Sequence, residues 1–345
     1  MRIGLDIGGT KTDAVVIDEA GTVIERRRFA TGRGPEQVVA TAVRGVTELA
    51  TLAGMEPHEV ASIGVGIPGQ VDRRAGRVQH AVNLDVEELE LGRELSAVIG
   101  APVSIENDVK AAALGAFHLL SGDSATRDDD SAQSMAYLNL GTGLAAGIVI
   151  GGRLWRGSRG TAGEIGHIVV DPAGVLCKCG QRGCLETVAS GSAIARQWPT
   201  SHPIPPLDLF DRADQGNSDA RRVRGSLAQG VANAVRVLVL TVDVEDVVVG
   251  GGLTALGDRL RDEVVEVFAG WGERSPFLAS LDLASRMRFI PDAFPAAAVG
   301  AALVGIPDAS IADSRGADAS IADSIGPDAS ISGANIPTES VATVA

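Results

Sequence analysis

The sequence predicts an α/β protein of two domains with a cleft between them. Three observations carry this reading. A strand-like run, a glycine–threonine turn and a second strand-like run occur twice, at Ile3 to Ile17 around Gly8-Gly9-Thr10 and at Met135 to Ile150 around Gly141-Thr142-Gly143. Each hairpin is followed by alternating helical and strand periods, the pattern of stacked α/β layers. The chain of 345 residues is long enough for two cores. A lone Gly-Thr-Gly is a weak signal, but as the second member of an internal pair it is much stronger. Two such hairpins facing each other, one in each domain, would clamp a triphosphate from both sides.

The predicted division is 1–107 for the first domain and 108–289 for the second, with a segment near 290–305 returning to the first. From 306 to 345 the composition changes, and Asp308 to Ser314 recurs as Asp318 to Ser324 and, decayed, as Asp328 to Ser332. Three short polar repeats bury too little apolar surface to offset the entropy of ordering, so a disordered tail is expected.

Ile3 to Ile7 reads as a buried strand and Ala14 to Ile17 as its antiparallel return. Between them, Gly8, Gly9, Thr10 and Lys11 offer backbone N–H groups and a hydroxyl to phosphate oxygens. Asp6, at the strand end, can hold Mg2+ through water. The spacing is neither a Walker loop nor a dinucleotide fingerprint, and a plain glycine hairpin is the alternative. Pro35 to Gly54 has the apolar period of a helix at Val38, Ala42, Val46 and Leu49. Ala61 to Ile67 is a strand ended by Pro68-Gly69.

Pro102 to Ile105 is a strand that leads into Glu106-Asn107-Asp108 and a helix from Val109 to Leu120. Asp108 at a helix start is either an N-cap or a general base for a hydroxyl attacking phosphorus, and the local pattern leaves both open. Thr126 to Ser134 reads as a solvated acidic connector. Past Ala193 the prolines 199, 203, 205 and 206 suggest an irregular connection. Ala228 to Thr241 is an apolar helix, and Val244 to Val249 a strand ending in Gly250-Gly251-Gly252 before a helix near Asp258 to Phe268. Those glycines either let backbone approach a flat ligand or form a flexible turn. Phe289 to Pro291 reads as the last strand, and Ala296 to Leu303 as a helix packing back on the first domain.

All three cysteines of the chain fall in one stretch, spaced His167-x9-Cys177-x-Cys179-x4-Cys184. One imidazole and three thiols form the donor set of a closed, structural Zn2+ site. Gly180 and Gly183 fall where a tight knuckle needs positive φ. The alternative is three buried thiols and one surface histidine, although unrelated cysteines rarely concentrate this way in a cysteine-poor chain, and Cys-x-Cys is not a redox Cys-x-x-Cys. Glu164 and Glu186 bracket the knuckle and suit a polyol, whose hydroxyls carboxylates accept in defined directions, with ordinary surface glutamates as the alternative.

Glu164-x-Gly166-His167, Cys177-x-Cys179-Gly180-x-x-Gly183-Cys184-x-Glu186, Glu106-Asn107-Asp108 and the two Gly-Thr turns resemble the ROK family of sugar kinases and sugar-responsive repressors. The resemblance runs over about residues 1 to 305. It implies an actin/hexokinase-like (ribonuclease-H-like) ATPase fold with the site in an interdomain cleft. It also implies ATP-dependent phosphorylation of a hexose, glucose first, or of an N-acetylhexosamine, with Asp108 as base and Asn107, Glu164, His167 and Glu186 on the sugar. Gly250, Gly251 and Gly252 match the superfamily's adenosine motif, and family members are often homodimers. Lys110 and Ala116 depart from the residues common in the Asp108 helix, neither at the base itself. Asn83-Leu84 begins a family stretch whose tryptophan is absent here.

With 44 acidic and 30 basic residues the net charge is −14, which argues against nucleic acid or an anionic membrane as partner. No charge-free apolar run of membrane length is visible, no signal peptide precedes the first strand, and the thiol motif suits a reducing cytoplasm. The first phosphate turn starts at Asp6, which leaves no room before it for the helix-turn-helix of the family's repressors.

Overall fold

The structure is a computed structural model that describes residues 1–123, 134–291 and 294–305. The repeat tail and all but the last residue of the acidic connector lie outside the described residues. The compact unit Met1–Ile306 contains two five-stranded sheets of the same connectivity. In the first, β1 (Arg2–Ile7), β2 (Lys11–Ile17) and β3 (Val23–Ala30) form an antiparallel meander. After α1 (Pro35–Leu52), β4 (Ser62–Ile67) adds in parallel to β1. A small antiparallel sheet of β5 (Gln70–Asp72), β6 (Arg77–Ala81) and β7 (Val86–Leu89) follows, then α2 (Leu91–Ile99), and β8 (Val103–Asn107) completes the order β3-β2-β1-β4-β8.

α3 (Asp108–Asp123) leads to the second sheet. There β9 (Ser134–Leu140), β10 (Leu144–Ile150) and β11 (Arg153–Leu154) form the meander. The helices α4 (Gly191–Gln197), α5 (Pro205–Asp214) and α6 (Ser218–Val242) precede β12 (Asp246–Gly250). Then α7 (Asp258–Arg274), α8 (Pro276–Ser280) and α9 (Leu283–Arg286) lead to β13 (Met287–Phe289), giving the order β11-β10-β9-β12-β13. α10 (Ala296–Val304) ends the described chain. The repeat read from the two Gly-Thr hairpins is therefore a repeat of the whole sheet.

The central parallel strands are buried along their length, which is why they read as continuous apolar runs. One core joins Ile3, Leu5, Ile7, Val46, Leu95 and Ile105 between the first sheet and its helices. The other joins Leu138, Phe210, Leu238, Val247 and Val249 around α6. α6 is long and apolar enough to cross a membrane by length and composition alone, but its apolar face, Leu227 to Val239, belongs to this core.

The structure departs from the expected irregular connection after Ala193. Pro205 and Pro206 occupy the first positions of α5, where the missing N–H has no intrahelical partner to lose and the fixed φ favours a helix. α6 starts at Ser218 because the Asn217 side chain accepts from Ala220 N at 2.9 Å. The small sheet β5-β6-β7 was not anticipated, since its strands are short and partly exposed.

α10 lies against Val15 and Ile17 of the first sheet through Ala298, Val299 and Ala302. Here glycine is required by approach: a Cβ on Gly4 would overlap the Ala298 carbonyl, and one on Gly64 the Ala301 carbonyl. α10 also crosses α3, where a Cβ on Gly115 would overlap the Ala296 carbonyl and one on Gly300 the Ala111 carbonyl. Two helices whose backbones touch cannot admit a methyl group without moving apart. We expect Gly300→Ala to destabilise the protein by about 2 kcal/mol or more through overpacking, seen as a lower unfolding midpoint; an unchanged midpoint would refute the backbone-contact geometry.

Candidate active site

Asp108 is the first residue of α3, but it is not the residue that caps it. The Asn107 Oδ1 accepts from Val109 N at 3.1 Å and from Lys110 N at 3.2 Å, the two bonds that an N-cap makes. Asn107 Nδ2 donates to the Gly69 carbonyl at 3.4 Å, which ties the cap to the β4–β5 turn. Asp108 accepts from Val109 N through Oδ1 at 2.9 Å. Burial pushes the Asp108 carboxyl above the usual range and Glu164 adds to this, while the Val109 amide and Lys110 oppose it. An aspartate so placed holds a proton more readily than an exposed one.

Glu106, one pleat before, is 2 % exposed and paired with Arg156 Nε at 2.7 Å and Arg73 Nε at 3.4 Å. Register places it in a cross-sheet row, Arg28–Asp13–Asp6–Gly66–Glu106, through aligned pairs on β3, β2, β1, β4 and β8. Asp13 accepts from Arg28 at 3.0 and 2.9 Å and from Arg26 at 3.2 Å.

Two cavities meet at Asp108. One, of about 360 Å³, is lined by Asp6, Lys11, Arg26, Arg28, Tyr137, Gly251, Gly252 and the start of α10. The other, of about 750 Å³, is lined by Gly69, Asp72, Gln79, Asn107, Lys110, Gly143, Arg156, Glu164, His167 and Glu186. Asp108, Val109 and Asn139 line both. In the smaller cavity, burial pushes the Asp6 carboxyl up to about 8, with Asp108 and Asp13 adding to it and Lys11 opposing. Carboxylates that repel one another beside a cation-lined cavity suit a divalent ion, whose charge would relieve them. Burial likewise raises the Tyr137 phenol, so it stays a neutral donor.

In the larger cavity the two glutamates come from the loop after β11 and from the knuckle. The loop 163–167 is pressed onto β10, with Ala146 N donating to the Gly163 carbonyl at 2.8 Å. Glu186 Oε2 accepts from Leu144 N at 3.2 Å and its Oε1 lies 3.9 Å from Cys177 Sγ, so one carboxylate spans knuckle and cavity. The donor atoms of His167, Cys177, Cys179 and Cys184 lie within 4.8 Å of one another. His167 Nδ1 is 3.7 Å from Cys177 Sγ, and the Cys179 and Cys184 sulfurs are 3.6 Å apart. Ligands about 2.3 Å from a tetrahedral centre are separated by about 3.8 Å, whereas a disulfide needs about 2.05 Å. Gly180 and Gly183 have φ of 92° and 69°, the left-handed turns that the spacing required.

The sequence profile of the ROK family matches residues 2–283. The chain belongs to the ROK family. It is 33% identical over 291 residues to a glucokinase of Streptomyces coelicolor, covering 79% of this chain and 88% of that one. It is 34% identical over 255 residues to an N-acetylmannosamine kinase of Yersinia pseudotuberculosis, covering 73% of this chain and 82% of the relative. The ROK glucokinase of Streptomyces griseus, solved in complex with glucose and AMPPNP, superposes with a TM-score of 0.70 at 30% identity, covering 88% of this chain and 98% of that one. The fold is therefore the two-domain actin-like ATPase fold of the ROK hexokinases.

Of the ROK site residues expected from sequence, Asn107, Asp108, Glu164, His167 and Glu186 share one cavity. Asp6, Lys11, Gly251 and Gly252 share the adjoining one. Gly250 is not among the residues that line it, and a Cβ there would overlap the Tyr137 hydroxyl. Gly8, Gly9 and Thr10 form the turn beyond Asp6, with Gly8 N donating to the Lys11 carbonyl at 3.0 Å and Gly9 set against Asn83. Thr142 lines a smaller cavity with Asn83 and Lys178, and the Gly141 carbonyl accepts from Gly191 N at 2.8 Å. Sequence reasoning missed Asn139, Arg156 and Arg73. Asn139 had a signal: it stands two residues before the second glycine turn, as Asp6 does before the first.

The raised Asp6 carboxyl has a consequence for stability. Its folded value of about 8 exceeds the ordinary 3.8, so the native state binds the proton more tightly and stability falls as pH rises between the two. The unfolding midpoint of metal-free protein should therefore drop from pH 5 to pH 8. Asp6→Asn should flatten that slope and raise the midpoint at pH 8 by about 2–4 °C for each kcal/mol relieved. An unchanged slope would remove Asp6 as its source.

Proposed function

We propose that the chain is an ATP-dependent sugar kinase that phosphorylates the 6-hydroxyl of a hexose, with glucose as first candidate. The observation that carries this reading is the position of Asp108 where the two cavities meet, with Lys11 and the glycine turn 251–252 on one side and Asn107, Glu164 and Glu186 on the other. The sugar occupies the larger cavity, its hydroxyls held by Asn107, Glu164, His167 and Glu186. Asp108 accepts the proton of the 6-hydroxyl as that oxygen attacks the γ-phosphorus of ATP in the smaller cavity. Lys11 and the amides of the first turn hold phosphate oxygens. Mg2+, when bound through Asp6, supplies positive charge to the phosphates. The division at 107/108 and near 290 makes each sheet the core of one lobe, and closure of the lobes excludes water as competing nucleophile.

We further assign a structural Zn2+ to His167, Cys177, Cys179 and Cys184. Turning Nδ1 to the thiols leaves the His167 Nε2 for the sugar. The knuckle then fixes both His167 and Glu186 on the cavity wall. The N-acetylmannosamine kinase relative supports a second substrate reading, an N-acetylhexosamine.

An ADP-release assay with Mg-ATP against hexoses and N-acetylhexosamines tests the reaction and the sugar together; no turnover with any of them would overturn the kinase reading. Asp108→Asn should lower kcat by at least about 10²–10⁴-fold, the usual contribution of a general base, while sugar affinity by calorimetry changes little. A retained rate would sink the assignment of the base. Cys179→Ser should release zinc, measured by elemental analysis, and lower the unfolding midpoint; a stable, active, zinc-free variant would refute the structural site.

A further inference from the structure

Two side-chain bonds join the segment around Asp108 to the loop that walls the sugar cavity. Lys110 Nζ donates to the Gly160 carbonyl at 2.8 Å, and Glu106 Oε2 accepts from Arg156 Nε at 2.7 Å. They leave the chain two residues before and two residues after the base. Both donors and acceptors on the Asp108 side are buried, Glu106 at 2 % exposure and Lys110 at 6 %.

The loop they reach is a closed one. Ala162 N donates to the Arg156 carbonyl at 3.2 Å, and between these ends Gly157 and Gly160 take positive φ. Arg156, Arg159, Gly160 and Thr161 line the larger cavity, and Glu164 follows at the loop's exit. Gly157, Ser158, Arg159, Gly160 and Thr161 are exposed, so this loop has little apolar anchorage of its own. A lysine buried beside it is costly unless its ammonium is bonded, and the bond it makes is to this loop.

We propose that Lys110 is a positioning residue: together with Glu106 it pins the 156–162 loop to the start of α3, so that the sugar cavity and the base are held as one unit and the loop selects among hexoses. This rests on the sugar-kinase reading for its substrate, but the pin itself does not. Lys110 acts through the loop, and Asp108 keeps its place because Asn107, not Lys110, caps the helix.

The test uses the full chain with Lys110→Met, which keeps length and loses the donor, and Lys110→Arg, which restores one. Zinc content and unfolding midpoint are measured first to confirm the fold of each. Lys110→Met should raise the KM for the preferred sugar about tenfold, the size of one hydrogen bond from a charged group, with kcat within about threefold. The preference between that sugar and the next should shrink, and Lys110→Arg should recover most of both. Brief trypsin digestion, read by mass spectrometry, should cut after Arg156 or Arg159 about ten times faster in Lys110→Met, because a freed loop opens more often.

Unchanged KM, selectivity and cleavage would overturn the pin. A collapse of kcat at constant KM would overturn it too, placing Lys110 in the phosphoryl step. If Lys110→Met does not fold, Glu106→Gln, which weakens the other bond, is read by the same digestion, and unchanged cleavage there refutes the pin. If the wild-type chain turns over no sugar, the kinase reading fails by itself, and accelerated cleavage still decides for or against the pin.

Discussion

Backbone contact along α3 is the constraint on which this molecule depends. On one side Gly115 and Gly300 let α3 and α10 cross with their peptide groups touching. On the other, Gly147 of β10 faces Ala113 and the Val109 carbonyl, again with no room for a methyl group. α10 in turn lies on the first sheet at Gly4 and Gly64. The first sheet, α10, α3 and the second sheet are thus stacked, with a glycine at each point of closest backbone approach. Close-packed interiors deform little, so the first residue of α3 inherits the rigidity of that stack. Asp108 is that residue.

Charge is organised around the same point. The row Arg28–Asp13–Asp6 approaches it from the edge of the first sheet, and Glu106 with Arg156 and Arg73 stands on its other side. Asp13 and Glu106, both nearly buried, have arginine partners, so burial is offset by charge-assisted hydrogen bonds. Asp6 and Asp108 are raised instead, by burial first and then by neighbouring carboxylates, and among the described residues no arginine partner offsets them as it does Asp13 and Glu106. Arginine-paired and raised carboxylates thus stand side by side within one short stretch of sheet.

The knuckle solves a different problem. Its loops have few core side chains, and several apolar residues there, Ile168 to Val170 and Val175 to Leu176, are exposed. A segment with so little buried apolar surface needs cross-links to gain order, and the four clustered N and S donors are a set that could hold a metal ion as one. Glu186 then carries that order into the cavity through its bond to Leu144 N.

Local chemistry was legible in the sequence wherever it depends on residues close together in the chain. The duplicated hairpin, the spacing of His167 and the thiols, and the positive φ of Gly180 and Gly183 all follow from patterns a few residues long. The proline-rich stretch misled because proline at a helix start and proline in a loop look alike until the rest of the helix is packed. Whether Asp108 caps its helix or serves chemistry was undecidable locally, since both roles place a carboxylate at the same step. The structure gives the cap to Asn107 and sets Asp108 where two cavities meet, which frees its carboxylate from the capping role. The same holds for Glu106, Lys110, Arg73 and Arg156: their partners are 33 to 50 residues away, and no short window contains such a pair. Sequence alone determined which groups are available and the turns that present them; folding decided which of them face one another, because only the close approach of α3, α10 and the two sheets brings distant charges within bonding distance.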